Sequence, residues 1–138
     1  MAAPTTEIPL PLPVPNPTTA PFWEGTKQHK LLLPRTKAGQ LFFYPRVLAP
    51  GTLDEPVDWV EASGRGIVYS FTVDRRGTSR AFAAKAPYVI AIIELEEGPH
   101  MTSNIVDCPI EDVKIGMAVE AVFEDMNGEI TLVKFRPA

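Results

Sequence analysis

The sequence predicts a mainly β protein whose C-terminal part, residues 63–138, forms a closed five-stranded barrel. Five short runs rich in β-branched and aromatic residues follow Gly64, with turn signals between them. The clearest of these signals is Asn127-Gly128, which favours a tight hairpin. A helical turn is predicted near residues 109–113, between the third and fourth runs, and this layout is typical of an OB-fold barrel. The predicted strands are residues 66–75, 88–95, 100–106, 118–125 and 129–136.

The composition limits the classes of function. The 138 residues include one cysteine, Cys108, so a disulfide framework is excluded and a cytoplasmic location is expected. The formal net charge of −4 argues against a broad surface for nucleic-acid phosphates. No apolar run approaches the roughly 18 residues of a membrane helix, and proline interrupts an N-terminus that lacks a basic region. We therefore expect neither a membrane span nor a signal peptide.

Residues 1–18 are predicted to form a proline-rich extended arm. Seven of the fifteen prolines fall within residues 1–21, and each removes a backbone donor and restricts φ. Such a segment cannot build a core of its own. It is either a disordered tail or an arm that lies on a partner protein, where Leu10 and Leu12 would supply apolar contacts.

Residues 19–62 are predicted to place a helix and a hairpin ahead of the barrel. Thr19 can cap the helix, and the rings of Phe22 and Trp23 are expected to be exposed and to dock on the barrel or on a partner. The runs at residues 31–34 and 40–45 predict the two strands of a hairpin with a basic turn. In the connector that follows, residues 51–63 hold four acidic side chains and no basic one: Asp54, Glu55, Asp58 and Glu61.

Several motifs in order resemble one known family. Over roughly residues 20–138 the chain is similar to the OB-fold proteins of the domain-of-unknown-function-35 family, which pair with thiolase-superfamily enzymes. The combination of motifs and their spacing is more specific than any one of them. The motifs are Pro21-Phe22-Trp23-Glu24-Gly25, Phe43-Tyr44-Pro45-Arg46, Gly64-Arg65-Gly66, Tyr69-Ser70-Phe71-Thr72-Val73, Ala86-Pro87-Tyr88, Glu94-Leu95, Glu97-Gly98-Pro99, Ser103-Asn104-Ile105-Val106, Ile115-Gly116-Met117 and Lys134-Phe135-Arg136-Pro137.

One departure from that family concerns metal binding. The resemblance implies a zinc ribbon with two Cys-x-x-Cys pairs before the barrel. Arg35 and Ala38 (or Thr36 and its neighbour) stand at the first pair, and Ala49 and Thr52 stand at the second. None of these residues supplies a thiolate, and a structural zinc site needs about four Cys or His ligands. We expect no metal, and a ribbon-like hairpin held by apolar packing of residues such as Leu31, Leu33, Leu41, Phe43 and Val47.

The resemblance implies a non-catalytic accessory subunit. It would bind and support a thiolase or a thiolase-like aldolase that acts on an acyl-CoA, and it would hold no cofactor of its own. The residues expected to contact the partner are Leu10, Leu12, Phe22, Trp23, Phe43 and Tyr44. The basic residues expected to approach the phosphates of CoA are Arg46, Arg75, Arg76, Arg80 and Lys85, of which Arg76 and Arg80 bound a loop predicted to be flexible.

The sequence leaves two alternative functions open. The first is a single-stranded nucleic-acid-binding OB-fold protein, with Tyr69, Phe71, Phe82 and Tyr88 as stacking rings, although the acidic balance weakens it. The second is a free acyl-CoA carrier. Independent catalysis is not expected, because Asp107 beside Cys108 disfavours a thiolate and the two histidines, His29 and His100, are isolated.

Overall fold

The computed structural model describes residues 8–138. They form a mainly β fold with a short N-terminal helix, a two-stranded sheet and a closed barrel. The elements are α1 (Ala20–Lys27), β1 (Leu32–Thr36), β2 (Pro56–Glu61), β3 (Arg65–Asp74), α2 (Arg80–Ala83), β4 (Tyr88–Leu95), β5 (His100–Ile105), a 3₁₀ turn (Ile110–Asp112), β6 (Ala118–Asp125) and β7 (Thr131–Pro137). None of the helices within residues 8–138 has the length and apolarity needed to cross a membrane.

The barrel confirms the predicted OB-fold. Its strands close in the order β3-β4-β5-β7-β6, with β5 and β7 parallel and the other pairs antiparallel. Closure depends on the start of β3, where Gly66 pairs with Leu95 of β4 and with Val119 of β6. A Cβ atom at Gly66 would lie 2.6 Å from the carbonyl oxygen of Glu94, so the close approach of the two backbones requires glycine here.

Alternate side chains of the barrel strands fill its interior. In β4, for example, Val89, Ala91, Ile93 and Leu95 are buried, as the period of two in a strand requires. Phe135 of β7 is fully buried among them. We call the two-stranded sheet of β1 and β2, with the residues that adjoin it, the ribbon. The same hydrophobic cluster continues outside the barrel through Phe22 and Trp23 of the helix and through Leu31 and Leu33 of the ribbon.

Helix α1 packs inward, so the expectation that its two rings are exposed is wrong. Phe22 is 3% exposed and Trp23 is 8% exposed. The cap also differs from the prediction, because the Thr19 hydroxyl accepts a hydrogen bond from the Asn16 amide and caps no amide of the helix. Asn16 in turn accepts from the Thr19 amide at 3.0 Å, and this exchange fixes the entry of the chain into the helix.

The predicted hairpin of residues 31–34 with residues 40–45 forms only in part. The chain pairs β1 with β2, and residues 40–45 contribute one isolated bridge, Arg35 to Leu41. The second run ends at Pro45, which has no amide hydrogen to donate, whereas Val57, Trp59 and Val60 give β2 the β-branched and aromatic residues that favour strands. Val47 was expected to pack on the hydrophobic cluster, but it is 64% exposed.

Two turns stand where the ribbon cysteines would lie. In the first turn the Gly39 amide donates to the Thr36 carbonyl oxygen at 2.9 Å, and the Thr36 hydroxyl accepts from the Gln40 amide at 3.1 Å. In the second turn the Thr52 amide donates to the Ala49 carbonyl oxygen at 3.2 Å. The Gln40 side chain joins the two turns by donating to the Pro50 carbonyl oxygen at 3.2 Å.

Candidate functional site

An aromatic groove separates the helix and ribbon from the barrel. Its outer wall consists of Phe22, Trp23, Phe43 and Tyr44, whose ring centroids lie 4.9 to 6.2 Å apart in the contacting pairs. Its other wall is formed by β5 and β7, and the cavity between them has a volume of about 480 Å³. The structure therefore brings together the four aromatic residues that the sequence assigned to partner binding.

The groove contains an unsatisfied donor. The indole N–H of Trp23 is buried and has no hydrogen-bond partner among residues 8–138. A buried polar group left without a partner costs about 1–3 kcal/mol. Tyr44 lies at the mouth of the groove, where it is 40% exposed, so this wall is accessible to another molecule.

An apolar patch on the outside of the barrel continues from the groove. Ile67 and Tyr69 of β3 and Ile92 of β4 are all more than a third exposed. Tyr69 packs on His100 with ring centroids 4.4 Å apart, and His100 also lines the groove. Contiguous exposed apolar surface of this kind is typical of a contact site. We call the groove and this patch together the aromatic face.

The sequence did not reveal the outer part of this face. Ile92 lies in a strand that is apolar at almost every position, and Ile67 begins an apolar run of three residues in β3, so the local pattern does not separate inward from outward residues. A register shift between Val68 and Ser70 in β3 places Tyr69 opposite no residue of β4. A bulge of this kind leaves no signal in a short sequence window.

A basic loop occupies one end of the barrel, between β3 and β4. Asp74 holds it in place, because its carboxylate accepts from the amides of Arg76 at 3.0 Å and Gly77 at 2.8 Å and from the Tyr88 hydroxyl at 2.9 Å. The bonds from the Gly77 and Arg76 amides lower the pKa of Asp74, while burial and the bond to Asp74 raise the pKa of Tyr88.

Part of the segment predicted as a flexible loop is helical. Residues 80–83 form α2, and the Phe82 amide in its first turn donates to the Ser79 hydroxyl at 3.4 Å. The loop and α2 carry Arg75, Arg76, Arg80 and Lys85, all exposed and without an ion-pair partner within residues 8–138. Four of the five basic residues assigned to CoA thus lie in the segment that connects β3 to β4. Arg46 lies apart from them, in a groove lined by Trp59 and Pro56.

The first described residues of the arm, 8–12, lie beside the barrel, whereas Val14 is 87% exposed. Leu10 and Leu12 are half-buried and line a cavity of about 790 Å³ together with α2 and the β6–β7 turn. Arg80 and Lys85 stand at the same cavity. Residues 1–7 of the predicted arm lie outside the described part of the chain.

The remaining candidate groups are dispersed. Burial, together with the charge of Asp112, raises the pKa of Cys108. Within the described residues no three His, Cys, Asp or Glu side chains are grouped in a way that could hold a metal ion. Of the four rings considered for stacking nucleic-acid bases, Tyr69 is exposed, whereas Phe71, Phe82 and Tyr88 are half-buried.

Comparison with known proteins identifies the family. The chain is 41% identical over 124 residues to a DUF35 domain-containing scaffold protein of Methanocaldococcus jannaschii, and the match covers 83% of this chain and 87% of the relative. This chain belongs to the DUF35 family. A family model described as the C-terminal OB-fold domain of ChsH2 also matches residues 59–124.

Two further relatives carry names that refer to enzymes. The 3-oxo-4,17-pregnadiene-20-carboxyl-CoA hydratase alpha subunit of Mycobacterium tuberculosis is 36% identical over 107 residues, which are 78% of this chain and 34% of that subunit. This DUF35 chain therefore spans about a third of that relative. Among solved structures, a chain of the Ltp2-ChsH2(DUF35) aldolase superposes with a TM-score of 0.80 at 35% identity, covering 91% of this chain and 98% of that one.

Proposed function

We propose that this DUF35 chain is a non-catalytic accessory subunit of a thiolase-superfamily enzyme, a thiolase or an aldolase, that acts on an acyl-CoA. The observation that carries the proposal is its likeness to the chain of the Ltp2-ChsH2(DUF35) aldolase, which extends over almost the whole of both chains. The name of the Mycobacterium tuberculosis hydratase alpha subunit supports an acyl-CoA enzyme as the setting.

The aromatic face is the proposed docking surface for the catalytic subunit. Its exposed residues, such as Tyr44, Tyr69 and Ile92, combine aromatic and branched side chains, which are the types that contribute most at protein interfaces. The charged groups beside the face lie near groups of opposite or potential opposite charge: Lys134, which lines the groove, contacts the Glu124 carboxylate, and Glu94 Oε1 lies 3.8 Å from His100 Nε2. An apolar surface of this kind gains free energy when a partner covers it.

The basic loop is the proposed contribution to CoA binding. Arg75 and Arg76 are exposed on a segment that Asp74 holds in one conformation, so little ordering would accompany the binding of a phosphate. Arg80 and Lys85 extend the same cationic surface toward the apolar cavity that Leu10 and Leu12 line. Cations beside an apolar cavity suit a ligand with phosphates at one end and an apolar body at the other.

Co-expression tests the docking proposal. The chain is produced together with the thiolase-like product of a neighbouring gene, and the heteromer is captured through a tag on the catalytic subunit. The variant Ile92→Lys places a charge in the aromatic face and should abolish capture. The matched control Ile115→Lys changes an equally apolar residue that is 70% exposed outside this face, and it should be captured like the wild type. Equal capture of both variants would contradict the assignment of the surface.

A further inference from the structure

Strand β2 presents an unpaired edge. In the described part of the chain it pairs with β1 alone, and the two strands make a separate sheet outside the barrel. Two-stranded sheets are marginally stable, and an open edge is a template for another strand. Val57, on this strand, is 63% exposed.

The hydrogen bonds of the ribbon show which backbone groups of β2 face outward. The Ala62 amide donates to the Leu31 carbonyl oxygen at 2.7 Å, so residue 62 faces β1. The Pro34 carbonyl oxygen turns away from β2 and accepts from the Phe42 amide at 3.3 Å, and Pro34 is the partner of Trp59 in the register. Because residues alternate along an antiparallel strand, the amides of Trp59 and Glu61 face away from β1.

The edge is acidic. Asp58 is neutralised by Arg35, which donates two hydrogen bonds to its carboxylate at 2.9 and 2.6 Å. Asp54, Glu55 and Glu61 have no ion-pair partner within residues 8–138. A shallow groove of about 620 Å³ lies beside the start of the strand, and it is lined by Lys37, Ala38, Leu53, Asp54, Glu55 and Val57.

We propose that an extended segment of the catalytic subunit adds to β2 as a third strand, with Lys or Arg at alternate positions and apolar residues between them. The proposal rests on the proposed function for the source of the segment. Strand addition would supply backbone hydrogen bonds through Trp59 and Glu61, and pairing of the alternate side chains would supply selectivity. A basic segment complements the free carboxylates: its basic side chains would lie on the face of β2 that carries Glu61, and its apolar side chains would lie on the opposite face, which carries Val60.

A second copy of the chain is the less favourable occupant of this edge. Pairing of β2 with β2 would bring the free carboxylates of two chains together, because residues 51–63 hold no basic side chain. Like charges across paired strands are destabilising. The same repulsion explains how an open edge is kept from self-association while it remains available to a basic strand.

The test uses the full-length chain labelled with ¹⁵N and a synthetic peptide, acetyl-(Lys-Val)₃-amide, as the probe. Hydrogen exchange is followed at individual amides with and without peptide. The amides of Trp59 and Glu61 should gain protection of about tenfold or more at saturating peptide, whereas those of Asp58 and Val60, which face β1, should be protected already and change little. Acetyl-(Glu-Val)₃-amide should leave all four amides unchanged.

A charge variant makes the test quantitative. The double variant Glu55→Gln with Glu61→Gln should weaken binding of the lysine peptide about tenfold at low salt, and by a smaller factor at about 0.5 M salt. The control Glu111→Gln removes an exposed carboxylate from the 3₁₀ turn and should leave the affinity unchanged.

Three results would overturn the inference. The first is protection that does not alternate along β2, and the second is equal binding of the two peptides. The third is protection of the Trp59 and Glu61 amides that rises with protein concentration in the absence of peptide, because this would assign the edge to a second copy. None of these measurements contains the catalytic subunit. The outcome of the test of the edge is therefore independent of the co-expression experiment that tests the proposed function.

Discussion

Substitution of Phe22 tests whether this residue belongs to the hydrophobic core or to a contact surface for a partner. The sequence assigns it to partner binding, whereas the structure buries it against Trp23, at a centroid distance of 4.9 Å, and against Phe43, at 5.5 Å. Truncation of a buried phenylalanine to alanine costs about 3–5 kcal/mol. Phe22→Ala should therefore lower the free energy of unfolding by about that amount, out of the 5–15 kcal/mol, roughly, that a domain of this size has. Urea denaturation followed by tryptophan fluorescence measures the loss.

Two further variants complete this prediction. Phe22→Leu keeps an apolar side chain of similar volume and should cost about 1 kcal/mol, so it remains measurable if the alanine variant does not fold. Tyr44→Ala removes a ring that is 40% exposed, and it should change stability by about 1 kcal/mol while weakening capture of the catalytic subunit about tenfold. The reasoning is refuted if Phe22→Ala leaves stability unchanged and weakens capture, because Phe22 would then be a contact residue.

Three further predictions concern the barrel and the ribbon. Gly66→Ala should lower stability in urea by about 1–3 kcal/mol, because the added methyl group meets the Glu94 carbonyl oxygen, and a loss below about 0.5 kcal/mol would contradict this. The Thr131 hydroxyl and His29 lower the pKa of Asp125, so its contribution to stability is present above the ordinary aspartate pKa and is lost as the pH falls through the lower folded value. Melting curves between about pH 2 and 5 should show a flatter acid limb for Asp125→Asn than for wild type, with Glu111→Gln as the control. Treatment with a chelator should leave the melting temperature unchanged, and release of one equivalent of zinc with a fall in that temperature would contradict the expected metal-free ribbon.

The barrel could be predicted from the sequence because the patterns that specify its strands and turns lie within short segments of the chain. The bounds of β4 and β6 match the predicted runs, and the other three strands begin and end within two residues of them. Alternating side chains and turn signals such as Asn127-Gly128 are contained within short windows. The closing contact at Gly66 depends on two other strands, and no local pattern shows it.

The ribbon and the site could be predicted less well because they depend on distant contacts. Strand β1 pairs along its length with β2 and only through one isolated bridge with the nearer run, and local propensity does not choose between two partners. The sequence singled out the aromatic residues that line the groove, but it does not distinguish the buried Phe22 from the exposed Tyr44. Ile67 and Ile92, in the outer part of the aromatic face, could not be predicted as exposed, because the sequence does not show which side of each strand faces the barrel interior.

The central claim is that this DUF35 chain contributes no catalytic group of its own and acts through a partner enzyme. The most direct measurement compares acyl-CoA turnover by the chain alone, by the thiolase-like subunit alone and by the co-purified pair at equal concentrations. The account predicts no turnover by the chain alone and the highest turnover by the pair, which elutes as one heteromer. Turnover by the chain alone, or separate elution of the two proteins with no effect on the rate, would contradict it.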